Sequence, residues 1–204
     1  MKLYTLPGAC SLATNIALRE AGVPFELIKV SHHNHRTSDG VDFNEINSKG
    51  YVPALRLDNG ELLTENSALL LYVADLNPAA KLAPPVGTLE RYRVAEWLAY
   101  INSELHKSFS PLFAPHSSED MKEYARTNLK KRIAWLAEKL GAKPYLTGES
   151  FTVADAYLFV VLSWSAHVKF DLSPWPNLQA FLQRVAARPH TIEALTSEGL
   201  LKKT

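Results

Sequence analysis

The stretch Gly50-Tyr51-Val52-Pro53-Ala54-Leu55, followed by Thr64-Glu65-Asn66-Ser67, decides the fold of this 204-residue chain. Val52-Pro53 stands between a polar loop and an apolar run. A proline at the first residue of a strand forfeits no ladder hydrogen bond, and X-Pro is the peptide bond for which cis is accessible. A cis bond here would turn the N–H and C=O of Val52 outward, where an extended peptide can pair as an added strand. Ala54-Leu55-Arg56-Leu57, the turn Asp58-Asn59-Gly60 and Glu61-Leu62-Leu63 read as a hairpin. Glu65, Asn66 and Ser67 then open a helix running to about Asp75. Its free N–H groups suit a carboxylate, and Glu65 suits an ammonium. One sheet edge thus offers backbone, an anion site and a cation site, a set that fits a zwitterionic peptide.

Upstream, Lys2-Leu3-Tyr4-Thr5-Leu6 reads as a strand stopped by Pro7-Gly8. Ser11 is the expected N-cap of a helix with Leu12/Ile16 and Ala13/Ala17 at i,i+4. That helix ends at Gly22, with Pro24 beyond. Phe25-Glu26-Leu27-Ile28-Lys29-Val30 alternates as a second strand. A strand-helix-strand unit of this length implies a parallel pair with a right-handed crossover. The segment from Ser31 to Lys49 is polar, with one helical turn expected near Val41 to Ile46. The order β-α-β-α-β-β-α is that of a thioredoxin-like domain over residues 1–77.

Residues 78–87, with Pro78, Pro84 and Pro85, read as a linker. Everything from 88 to 204 has a helical pattern. A long helix is expected from Thr88 to about Phe109, with Pro111 and Pro115 breaking the next stretch. Ser118 to about Leu140 carries Leu129, Ile133, Leu136 and Leu140 on one face. Thr152-Val153-Ala154-Asp155 is a capping box, and the helix it starts is apolar almost throughout, hence buried. Two shorter helices complete the chain. The fold class is therefore α/β thioredoxin-like, followed by an all-α domain.

Composition narrows the function. Apolar residues at 47% and charged residues at 21% fit a soluble globular protein. A formal net charge of +1 gives no support for nucleic acid or an acidic membrane surface as partner. No apolar run is long enough to span a bilayer, and the first residues lack a signal-peptide layout. The single cysteine excludes an intrachain disulfide, so a reducing cytoplasm is the expected setting. His32, His33 and His35 are spaced without cysteine or carboxylate companions, so no metal site is expected.

Val-Pro, a hairpin and Glu-Asn-Ser at a helix start resemble the glutathione site of glutathione transferases. Pro7-Gly8-Ala9-Cys10-Ser11 and Glu104-Leu105-His106-Lys107 make the chain similar to the bacterial beta class over nearly its whole length. The resemblance implies glutathione as co-substrate, a small hydrophobic electrophile as second substrate, and a homodimer. It implies glutathione contacts from Cys10, His35, Tyr51, Val52, Pro53, Glu65, Asn66, Asn102, Ser103 and His106. Cys10, Ser11 and His106 are the catalytic candidates. Phe109, Phe113, Trp164 and His167 would line the electrophile pocket. Related sequences tend to carry lysine at position 35, so His35 or Arg36 is the candidate substitute.

Cys10 lies between a strand end and a helix start, where a helix N-terminus can lower a thiol pKa. The Ser11 hydroxyl and backbone N–H can donate to a glutathione thiolate. On the long helix Ala99, Asn102, Ser103 and His106 fall on one face, and His106 is read as a donor near the sulfur. Tyr4 is another hydroxyl near the edge, although its strand face also suits the core. Three activities remain open: conjugation, a monothiol redox route through Cys10, and a non-catalytic binding module.

Overall fold

The computed structural model describes residues 1–201. β1 (Lys2–Thr5) pairs in parallel with β2 (Glu26–Lys29) and antiparallel with β3 (Ala54–Arg56), which pairs antiparallel with β4 (Leu62–Thr64). The sheet order is β2-β1-β3-β4. α1 (Ser11–Glu20) is the crossover between the parallel strands, α2 (Phe43–Ile46) precedes the hairpin, and α3 (Asn66–Leu76) comes after it. The expected element order is present.

Strand alternation sorts side chains to two faces. Leu3 and Leu55 join Leu12, Ile16, Leu69 and Leu70 from α1 and α3 in the main core. Tyr4 and Ala54 face the other way, with Ile28 and Phe43 of α2. The Tyr4 ring lies 5.7 Å from the Phe43 ring. Tyr4 is thus a core residue of the smaller layer.

A short 3-10 turn (Pro78–Ala80) leads to α4 (Leu89–Tyr100). The helix then widens into a π-helical segment, Ile101–His106, and resumes as α5 (Lys107–Phe113). The expected single helix from Thr88 to Phe109 is therefore remodelled in its second half. Pro111 lies inside α5 rather than breaking the chain before it. Proline there removes one i−4 hydrogen bond, just past the junction where the π-helical segment passes into α5.

α6 (Glu119–Leu140) is capped by the Ser118 hydroxyl, and its Leu129, Ile133, Leu136 and Leu140 are buried as their spacing requires. α7 (Val153–His167) runs through the centre and packs against α1, α3, α4 and α8 (Pro176–Ala186). Full burial of each large apolar side chain on α7 is worth about 1.5–3 kcal/mol. The capping box forms: Asp155 accepts from the Thr152 N–H at 2.8 Å and hydroxyl at 2.9 Å, and from the Leu146 N–H at 2.8 Å.

α9 (Pro189–Glu198) returns to pack on α1. Its last residue, Glu198, is buried against the first strand and the loop after it. The Glu198 carboxylate accepts from the Thr5 hydroxyl at 3.0 Å, the Gly8 N–H at 2.9 Å and the Asn15 amide at 3.0 Å. Gly8 adopts φ +76, a left-handed conformation that glycine takes without strain.

Candidate active site

The loop between β1 and α1 ends at Cys10, the N-cap residue of α1. Ser11 is the first helical residue instead, and its side chain does not cap. Its hydroxyl is buried, 2.8 Å from Thr5 Oγ1 and in contact with the backbone of Leu6. That geometry corrects the reading of Ser11 as a hydroxyl donor to the sulfur. Its backbone N–H, with that of Cys10, does work to lower the Cys10 pKa. The Cys10 thiol donates to the Val52 carbonyl at 3.3 Å.

Burial dominates at Cys10. It pushes the thiol up to about 12, against the two backbone N–H groups and the nearby Lys107 charge. The expected depression by the helix N-terminus is present as a contribution but is overridden. Burial thus favours the protonated thiol at neutral pH.

The Val52-Pro53 bond is cis. Asn47 Nδ2 holds the preceding turn by donating to the Tyr51 carbonyl at 2.7 Å, while the Tyr51 side chain is 76% exposed. Glu65 has φ +69. A non-glycine residue in this region carries strain of order 1–3 kcal/mol and marks functional sites more often than others. The Glu65 carboxylate is paired with Lys49 at 2.6 Å, and the same ammonium reaches Thr64 Oγ1 at 2.8 Å. An ammonium already sits where the sequence assigns one. Asn66 is buried, tying α3 to α1: it accepts from the Thr14 hydroxyl at 2.7 Å and donates to the Cys10 carbonyl at 3.2 Å.

The π-helical segment brings His106 and Asn102 to one point on α7. His106 Nδ1 lies 2.7 Å from the Tyr157 hydroxyl, which donates to Asn102 Oδ1 at 3.1 Å. Ser103 does not join them. It is exposed, and its hydroxyl donates to the Ala99 carbonyl within its own helix. The face expected from α-helical spacing is broken because a π turn inserts an extra residue between hydrogen-bond partners. Burial, with Lys107 adding to it, lowers His106 to about 4, so the imidazole is neutral at pH 7.

The His106 ring meets Trp164 edge-on at 4.8 Å. Trp164 meets Phe109 at 5.8 Å and Phe113 at 5.6 Å. Phe109 is fully buried, whereas Phe113 is 47% exposed. The Trp164 indole donates to the Gly8 carbonyl at 2.8 Å, which fastens this wall to the Cys10 loop. His167 is exposed at the end of α7, without a hydrogen bond or aromatic contact among the described residues.

His35 is exposed, with φ +52, in the loop after β2. Arg36 donates to the Gly40 carbonyl of its own loop, so neither residue is drawn to the other site groups. No cluster of three metal-ligating side chains occurs among the described residues.

Sequence reasoning missed Lys49, Glu198 and the hydrogen-bonding role of Tyr157. Only Tyr157 carried a usable signal. A phenol in an otherwise apolar buried helix requires a hydrogen-bond partner.

A thioredoxin-like layer presenting a thiol beside an aromatic wall on a helical layer is the arrangement that the resemblance to glutathione transferases implies. The sequence matches the Glutathione S-transferase N-terminal domain over residues 8–76 and the Glutathione S-transferase C-terminal domain over residues 97–189. It is 46% identical to Glutathione S-transferase GstA of Escherichia coli O157:H7, across 98% of this chain and 100% of that protein. A sphingomonad glutathione S-transferase complexed with glutathione superposes with TM-score 0.95 at 48% identity, covering 98% of this chain and 100% of that one. A bacterial beta class glutathione S-transferase from Sphingomonas chungbukensis does so with TM-score 0.95 at 51% identity and the same coverage. The chain belongs to the glutathione S-transferase family.

Proposed function

We propose that this protein is a glutathione transferase that conjugates the glutathione thiolate to small hydrophobic electrophiles. The carrying observation is the Trp164–Gly8 hydrogen bond, which sets the aromatic wall against the loop bearing Cys10. Glutathione would lie along the Val52 edge as an added strand. Its γ-glutamyl ammonium would meet Glu65 in place of Lys49, and its carboxylate the start of α3. Cys10 would lie beside its sulfur. Holding thiolate and electrophile together is then the main source of rate.

The relatives' names support this reading over a non-catalytic binding module. The division into residues 1–77, 78–87 and 88–204 follows the change from sheet and helix to helix alone. A homodimer is the assembly we expect, and exposed Leu89 and Tyr92 on α4 are candidates for its interface. A cytoplasmic setting fits the lone reduced thiol. No helix among the described residues is long and apolar enough to cross a membrane.

A monothiol redox route through Cys10 is a second reading, favoured by the direct Cys10–Val52 contact. Conjugation of a chloronitrobenzene and reduction of a glutathione mixed disulfide, in wild type and Cys10→Ala, test both. Surviving conjugation with lost reduction is the expected result. Loss of both with glutathione still bound would make Cys10 essential to conjugation. Wild type with neither activity and no retention on immobilised glutathione overturns the proposal.

A further inference from the structure

The proton positions around Tyr157 are constrained by its neighbours. The Cys10 carbonyl can only accept, so the Asn66 amide nitrogen faces it at 3.2 Å. The Asn66 oxygen is engaged by the Thr14 hydroxyl at 2.7 Å. Asn66 acts to lower the Tyr157 phenol pKa, against the larger effect of burial. Tyr157 has one proton, and it goes to Asn102 Oδ1 at 3.1 Å. The 2.7 Å contact with His106 Nδ1 then needs its hydrogen from the imidazole. An imidazole protonated at Nδ1 has a bare Nε2.

That second nitrogen has no protein partner among the described residues and is not sealed from solvent. Its ring packs on Trp164, which is bonded to Gly8, two residues before Cys10. Cys10 acts electrostatically on the Tyr157 phenol bonded to that ring, so the free nitrogen lies in the neighbourhood of the thiol loop.

We propose that Tyr157 is a positioning residue that holds His106 as its Nδ1–H tautomer, so that Nε2 accepts the thiol proton of bound glutathione. This rests on the glutathione reading above and replaces the expectation that His106 donates to the sulfur. The step breaks the S–H bond and forms Nε2–H, leaving the electron pair on sulfur. The imidazolium keeps its Nδ1–H bond to Tyr157. A thiolate at contact distance compensates the burial that otherwise disfavours the cation. The thiolate attacks the electrophilic carbon, the leaving group departs with its electron pair, and the Nε2 proton passes to water.

The test is nitrogen-15 NMR of histidine-labelled enzyme without glutathione, with the His106 signals assigned by His106→Asn. Wild type is expected to show the Nδ1–H tautomer. Asn102→Ala frees the Tyr157 proton for Nδ1 and shifts the population to Nε2–H, whereas Asn102→Asp keeps Nδ1–H. Tyr157→Phe removes the partner and also populates Nε2–H. Should that variant not fold, the two Asn102 substitutions carry the comparison. Conjugation kcat is expected to fall about tenfold or more with the tautomer in Tyr157→Phe and Asn102→Ala, with the KM for glutathione little changed in Tyr157→Phe. An Nε2–H signal in wild type overturns the proposal, as does a kcat loss in Asn102→Ala with the tautomer unmoved. Retention on immobilised glutathione is measured separately. An Nδ1–H enzyme that fails to bind glutathione overturns the role in thiol deprotonation and the functional reading, while the tautomer assignment stands.

Discussion

The indole Nε1 of Trp164, on the central helix α7, donates to the carbonyl of Gly8 at 2.8 Å, on the loop that carries the only cysteine. The bond spans the two halves of the molecule. It makes the aromatic cluster around Trp164 and the thiol loop one unit. Trp164→Phe keeps a ring against His106 and Phe113 but loses this bond. We expect a destabilisation of about 1 kcal/mol and a fall of about fivefold in conjugation kcat/KM. An unchanged melting point and unchanged kinetics would show that the loop holds its position alone.

Glu198 holds the same loop from behind. Glu198→Ala leaves three donors, on Thr5, Gly8 and Asn15, facing an apolar methyl group. The expected loss is about 2–4 kcal/mol in urea unfolding. Glu198→Gln retains one acceptor and should fall between the two. Equal stability of all three proteins would rule out the carboxylate as a tie.

His106 gives stability a pH dependence whose sign is set by its lowered pKa of about 4. Between about 6.5 and 4 the unfolded chain takes up a proton that the folded imidazole refuses. The wild type should therefore lose stability as pH falls through that window, by about 2 kcal/mol near pH 4.5. His106→Asn should lack this component. Denaturant midpoints at neutral and acid pH for the two proteins isolate it from the titration of the carboxylates.

Cys10 in the free enzyme should react slowly with iodoacetamide at pH 7. Burial raises its pKa to about 12, so the thiolate fraction is below that of an unperturbed thiol, whose pKa is about 8.5. The rate should climb steadily through pH 9. A plateau reached below pH 7 would contradict the burial argument.

Lys49 competes with any ligand ammonium for Glu65. Lys49→Met should tighten glutathione binding by about 2–5-fold at low salt, the range of an exposed ion pair. The gain should shrink as salt is added. Weaker binding in this variant, measured by calorimetry, would assign Lys49 to the ligand instead.

The legible features of the sequence were local. Val52-Pro53, the Asp58-Asn59-Gly60 turn, the Leu129-Ile133-Leu136-Leu140 stripe and the Thr152–Asp155 box each declare themselves within a few residues. The illegible parts depend on distance or burial. Glu198 meets Thr5 across nearly the whole chain. The π turn at Ile101–His106 moves a hydrogen bond by one residue without altering composition, which separates Ser103 from Asn102 and His106. The Cys10 pKa depends on how deeply its thiol is covered, and the positive φ of Glu65 on the geometry of the entry into α3. None of these leaves a pattern in residue type.

The Glu198–Gly8 bond bears on how the protein is made. A ribosome releases the first strand, the loop bearing Cys10 and the Val52 edge long before residue 198 emerges. Until then the Gly8 N–H has no carboxylate to meet, and the loop bearing Cys10 lacks its anchor. A nascent or truncated chain carries every thiol-handling residue in sequence but not the locked loop. The loop locks once α9 has packed, so its anchor forms only after residue 198 has emerged.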